Sequence, residues 1–123
     1  MDLKLKDKVV LVTGGTRGIG HAIARRVAEE GAHVGVCGRT KETLDAAVQA
    51  LASLGVKAHG VQVDVLAKGG VQHFVDESAR ALGRVDGVVA NVGGTFGGNF
   101  LETSAEDWVK TLEVKLVHAA QLI

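Results

Sequence analysis

Tyrosine and proline are absent from this chain, and cysteine occurs once, at Cys37. Without tyrosine there is no phenol to be tuned into a general acid or base. A single thiol excludes an internal disulfide framework and points to a reducing cytoplasm. No apolar run is long enough to cross a bilayer, and the opening MDLKLKDK has neither the apolar segment nor the small-residue cleavage site of a secretory signal. Fourteen basic residues balance fourteen acidic ones, so no broad field draws the chain to nucleic acid or to a membrane surface. The histidines, His21, His33, His59, His73 and His118, offer no i, i+4 pair and no cysteine companion, which argues against a metal site. Cys37 sits near the end of an apolar run and reads as a packing residue, because a reactive thiol needs an exposed, electropositive setting.

What the chain does have is apolar content, 46%, and seventeen glycines that cluster. Over 123 residues that is one domain, large enough to bury a core unaided. Short β-branched runs alternate with helical patterns. Val9 to Val12 reads as a buried strand, followed by a helix with Ile19, Ala22, Ile23 and Val27 on one face and Gly31 at its end. His33 to Gly38 is a second strand; Leu44, Ala47, Val48 and Leu51 mark a second helix closed by Gly55. Lys57 to Val65 alternates as a third strand, and Val71, Phe74, Val75, Ala79 and Leu82 mark a third helix stopped at Gly83. Val85 to Val92 is a fourth strand, apolar enough to be central, and GGTFGGNF follows it. Ser104 with Asp107 resembles a capping box for a last helix, whose apolar face is Ala105, Trp108, Val109, Leu112, Leu116, Ala119, Ala120 and Ile123. Trp108 on that face is expected in the core. The pair Gly69-Gly70 opens the third helix, where glycine costs stability, and the sequence suggests no function for it.

Four β–α units in strict alternation predict a parallel sheet covered by helices on both sides, the doubly wound Rossmann-type architecture, with strand order 3-2-1-4. VTGGTRGIG, Val12 to Gly20, stands at the first strand-to-helix junction, where a phosphate-binding turn belongs. Glycines there let the backbone approach a pyrophosphate, and the helix N-terminus offers free N–H groups. The spacing Gly14-x-x-x-Gly18-x-Gly20 is wider than GxGxxG, and no Lys-Ser/Thr follows to make a Walker loop.

This TGxxxGIG stretch resembles that of the short-chain dehydrogenase/reductase family. Asp64 in VDV matches that family's adenine-contacting aspartate, and ANVGG, Ala90 to Gly94, is similar to its NNAG after the fourth strand. The likeness runs the length of the chain, in order and at family spacing. It implies a nicotinamide cofactor held by Gly14, Thr16, Arg17, Gly18, Ile19, Gly20, Arg39, Asp64, Val65, Asn91 and Gly93. Counting about 20 residues on from the glycine loop reaches Gly38 and Arg39, where NAD enzymes carry an acid; the first carboxylate here is Glu42. Arg39, with Arg17 in the loop, could fork onto a 2′-phosphate, so NADP(H) is favoured over NAD(H).

The resemblance also implies hydride transfer to or from a carbonyl or alcohol substrate, with a tyrosine–lysine pair as acid and base, a substrate-holding serine and a relay asparagine. This chain has no tyrosine and so no YxxxK, and Lys115 stands at the position of the relay asparagine. A protonated lysine cannot accept a hydrogen bond. Lys115 is therefore either a member of an altered relay or a helix residue reaching to water. The closing LEVKLVHAAQLI has no glycine, proline or polar tail, and predicts a domain truncated at its C-terminus, with the fourth strand left as a bare edge. The resemblance implies that the last helix builds a subunit interface, hence a homo-oligomer. Three functions stay open: the cofactor-binding part of an NADP(H)-dependent reductase, a catalytically silent nucleotide-binding module, and an interaction protein using the exposed sheet edge.

Overall fold

All four residues of β1, Val9–Val12, are buried. Successive side chains of a strand point to opposite faces. Val10 and Val12 accordingly join one core with Ala24, Ala28, Val34, Val36, Leu44 and Leu51, while Val9 and Leu11 join a second with Cys37, Val61, Val71, Phe74 and Leu122. A strand buried on both faces needs helices on both sides, and that requirement organises the fold. The computed structural model describes residues 2–93 and 97–123.

The elements follow as α1 (Gly18–Glu29), β2 (His33–Gly38), α2 (Lys41–Ala52), β3 (Ala58–Gln62), α3 (Gly70–Leu82), β4 (Gly87–Val89), α4 (Ala105–Leu112), a π-helical turn (Glu113–Val117) and α5 (His118–Leu122). The sheet has the order β3-β2-β1-β4 with every pair parallel, so the predicted doubly wound arrangement is what forms. α1 and α2 cover one face; α3 and α5 cover the other. Asp86 fixes the entry to β4, its carboxylate accepting the Val9 amide at 2.9 Å. The Arg84 guanidinium, and then that amide, hold the Asp86 carboxyl below the usual range.

Several expectations need correction. The buried stripe of α1 is Gly20, Ala24 and Ala28, with Ile23 and Val27 at its flanks; Ile19 is 75% exposed and Ala22 is exposed. β3 and β4 are shorter than their apolar runs, because pairing stops where the neighbouring strand turns away into its helix. β4, apolar enough for a central strand, pairs with β1 alone and is an edge in the described sheet, which leaves Val88 38% exposed.

The last helix departs furthest. Its start is as read: Ser104 accepts the Asp107 amide at 3.1 Å and the Asp107 carboxylate accepts the Ser104 amide at 3.1 Å. The Ser104 amide, and then the Ser104 hydroxyl, hold the Asp107 carboxyl below its ordinary value. One continuous α-helix does not follow, because the π-helical turn interrupts it. The residues turned inward are Val114, His118 and Leu122, and α5 packs against α3. Trp108, expected in the core, is 49% exposed, and Val109, Leu112 and Leu116 are exposed with it. The extra residue of a π turn rotates the helix face, so the apolar stripe of a straight helix is not the stripe that is buried.

Candidate functional site

In an open parallel sheet, ligands bind beyond the carboxyl ends of the strands where the winding direction reverses. Here that point lies between β1, from which the chain winds outward to β3, and β4, to which it returns. A cleft of about 650 Å³ opens there. Its lining brings together Gly14, Thr16, Arg17 and Gly18 after β1, Arg39 after β2, Asp64 and Val65 after β3, and Asn91 and Gly93 after β4. Nine of the sequence-derived candidates thus share one cavity. Gly20, Ile19 and Lys115 do not line it. Gly94, Thr95 and Phe96, within GGTFGGNF, lie outside the described residues.

The glycine loop is built from three different uses of a missing side chain. Gly14 and Gly18 have φ of 65° and 58°, the left-handed region that side chains disfavour. A Cβ on Gly20 would strike the Gly14 carbonyl and the Asn91 amide, so Gly20 contributes through close packing inside the loop. A Cβ on Gly18 would meet no protein atom within 4 Å. Bare backbone therefore faces open cleft at Gly18, where α1 begins. Arg17, the residue capping α1, makes no side-chain bond to the first-turn amides. Such amides, with the helix dipole behind them, suit an anionic group.

Two buried polar ties hold the loop to the neighbouring strand ends. Thr13, fully buried, accepts the Asn91 amide on Oγ1 at 3.0 Å and the Val92 amide at 3.4 Å. Asn91 donates its own side-chain amide to the Gly14 carbonyl at 3.3 Å. Asn91 thus organises the loop as well as lining the cleft. His21 donates from Nδ1 to the Gly15 carbonyl at 3.1 Å. Thr13 was missed in the sequence reading; a threonine at the junction of an apolar run and a glycine turn was its only signal. Thr43 and Val114 also line the cleft, and neither carried a signal of its own. Cys37 lies buried beneath it, and burial pushes its thiol up to about 11, so it packs and does not react.

Charge around the cleft is uneven. The chain has six arginines. Four are in ion pairs: Arg25 with Glu29, Arg26 with Glu29 and Glu30, Arg80 with Glu77, and Arg84 with Asp86. Among the described residues Arg17 and Arg39 have no carboxylate partner, and both are exposed on the cleft. Asp64 is the acidic residue of the lining, with Oδ1 accepting the Leu66 amide at 2.9 Å. Lys115 is exposed on the π turn, outside the cleft. Among the described residues no group of three metal-ligating side chains forms, and no helix is long and apolar enough to cross a membrane.

A family model described as short chain dehydrogenase matches residues 8–122. A 3-oxoacyl-[acyl-carrier-protein] reductase of Aquifex aeolicus is 39% identical over 117 residues, covering 94% of this chain and 47% of that protein. The crystal structure of L-sorbose reductase from Gluconobacter frateurii complexed with NADPH and L-sorbose superposes with a TM-score of 0.92 at 33% identity, over 99% of this chain and 47% of that one. An NAD+-bound xylitol dehydrogenase superposes with a TM-score of 0.86 at 29% identity, over 97% of this chain and 46% of that one. The chain spans about half the length of the relatives it matches.

Proposed function

The chain belongs to the short-chain dehydrogenase family, and from that premise we propose that it forms the NADP(H)-binding part of an oxidoreductase acting on a carbonyl or alcohol. The observation that carries the proposal is the pair of arginines without a carboxylate partner among the described residues, Arg17 and Arg39, on a cleft whose second strand ends without an acid. An arginine left without a carboxylate among four that have one is a cation reserved for a ligand, and a 2′-phosphate suits its fork. The residues present fit the whole group. Gly14 and Gly18 with the first-turn amides of α1 would take the pyrophosphate, Asp64 and Val65 the adenine, and Asn91 and Gly93 the nicotinamide side. When bound, the nicotinamide supplies the hydride donor or acceptor of the reaction.

This chain's own part is to bind and orient. Thr13 and Asn91 fix the distance between the strand ends, and the glycine loop presents amides without a side chain in the way. The tyrosine that the family resemblance assigns to proton transfer is not among these 123 residues. Lys115, outside the cleft, gives an altered relay no geometric support, and the snorkelling alternative fits its exposure. The exposed apolar side of α4 favours association with a second copy, and the thiol count favours the cytoplasm.

The test is a fluorescence titration of the chain with NADPH and with NADH. NADPH should bind more tightly, and Arg39→Asp should lower the NADPH-to-NADH affinity ratio by about tenfold or more, the loss of one charge-assisted contact. An unchanged ratio removes the 2′-phosphate assignment.

A further inference from the structure

Gly69 and Gly70 lie outside the cleft, and the cofactor reading leaves them without a role. Gly70 is buried at the start of α3. A Cβ placed on it would lie 3.0 Å from the Val65 Cα and 3.1 Å from the Asp64 carbonyl carbon, and nearer still to the Asp64 carbonyl oxygen. All three are main-chain atoms, so no rotamer change could make room. Gly69 differs. Its φ is 75°, yet a Cβ there would meet nothing within 4 Å. Gly69 turns the chain into the helix, and Gly70 lets the helix start seat directly on the backbone of residues 64 and 65.

The connection between them is a closed series of short bonds. Leu66 N–H donates to the Asp64 carboxylate at 2.9 Å, Ala67 N–H to the Asp64 carbonyl at 3.0 Å, and Gly70 N–H to the Ala67 carbonyl at 2.9 Å. Farther along α3, Val71 and Phe74 are buried in the core against β1. One end of this unit is thus anchored in the core, and the other, Asp64 and Val65, forms the cleft wall. Glycine weakens a helix start, and a glycine kept in contact with main chain has its use in that contact.

We propose that Gly70 is a positioning residue for the adenine end of the cofactor site, with Gly69 setting the chain direction that brings it into contact. The proposal rests on the NADP(H) reading of the cleft. A methyl group at Gly70 would push the Asp64–Val65 backbone away from α3, or α3 from it, and move the cleft wall while the glycine loop stays in place.

Calorimetric titration of the full chain tests this, well below its unfolding temperature, with NADPH, with 2′,5′-ADP as the adenine-side fragment and with nicotinamide mononucleotide as the other. Gly70→Ala should lose about tenfold or more in affinity for NADPH and 2′,5′-ADP and leave the mononucleotide unmoved. Gly69→Asn, a residue that tolerates positive φ, should keep wild-type affinities. A merely structural glycine would lower stability without splitting the fragments. Wild-type 2′,5′-ADP affinity in Gly70→Ala, or equal losses for both fragments, overturns the positioning role. Failure of the wild-type chain to bind 2′,5′-ADP and NADPH at all overturns the cofactor reading, and this inference with it. If Gly70→Ala does not fold, amide hydrogen exchange of the wild-type chain decides. Coupling is reciprocal, so 2′,5′-ADP should slow the Gly70 and His73 amides although neither residue lines the cleft. Protection confined to residues 64–67 counts against the proposal.

Discussion

The stretch from β1 to α3 and the stretch from α4 to α5 are both amphipathic, and they place their apolar residues differently. In the first, helices cover the sheet on both faces: Leu11, Val12, Val34, Val36, Leu51 and Phe74 are all essentially inaccessible. In the second, the richest apolar face, with Trp108, Val109, Leu112 and Leu116, looks outward, and a sparser set, Val114, His118 and Leu122, carries the packing. Periodicity marks which residues share a helix face. Whether that face is covered depends on what stands opposite, and β4, three residues long and paired only with β1, offers the last helix little to cover it.

The largest effect that can break this comparison is on stability. Phe74→Ala empties a fully buried site between α3 and the sheet and should cost about 3–5 kcal/mol in urea unfolding. Trp108→Ala removes a larger but half-exposed side chain and should cost less than about 1 kcal/mol. Equal losses would mean that the two regions are packed alike.

Next comes ligand binding in the well-packed region. Gly18→Val places a branched side chain at φ 58° in open cleft. The backbone strain is worth about 1–2 kcal/mol of stability, whereas NADPH affinity should fall on the order of a hundredfold or more, because the side chain occupies the space meant for the pyrophosphate. Retained affinity, followed by nucleotide fluorescence, would mean that Gly18 is only a turn residue. Asp64→Ala should have a smaller effect, about a tenfold loss for 2′,5′-ADP with nicotinamide mononucleotide unaffected. Parallel losses for the two would mark Asp64 as structural, through its bond to the Leu66 amide.

The smallest effect belongs to the other region and sharpens the contrast. Burial holds the His118 imidazole below its ordinary pKa of 6.5, the Val114 carbonyl offsetting this in part, and Nε2 has no hydrogen-bond partner among the described residues. The unfolded chain takes up the proton at a higher pH than the folded one. Stability from this group is thus full above 6.5 and is lost as pH falls through the lower, folded value. The urea midpoint should decline over that window, and less so in His118→Phe. An identical decline in both proteins would place the pH sensitivity elsewhere.

Much of the cofactor side was legible because its signals are local. VTGGTRGIG lies in one strand-turn-helix, and the absence of a carboxylate at the end of β2 can be counted along the chain. The strand order followed from alternation and connection rules. The polar ties were less legible. Thr13 reaches residues 78 and 79 positions away, and the contact of Gly70 with Asp64 needs the helix to be seated before it exists. Trp108 misled for a related reason: an aromatic on an apolar stripe is buried only if something lies opposite, and the π turn at Glu113–Val117 rotates that stripe away from α3.

By itself the sequence determined the β–α alternation, the glycine turn and its N-terminal amides, and the arginine without a carboxylate at the end of β2. These depend on backbone preferences and spacings of a few residues, which act before any long-range contact forms. Only the tertiary structure decided that nine candidates from four separate segments share one cleft, that Gly70 abuts its wall, and that α5 is held by Val114, His118 and Leu122. Those outcomes depend on which surfaces compete for burial once the sheet has assembled, and burial energy is a property of the pair in contact, not of either residue alone.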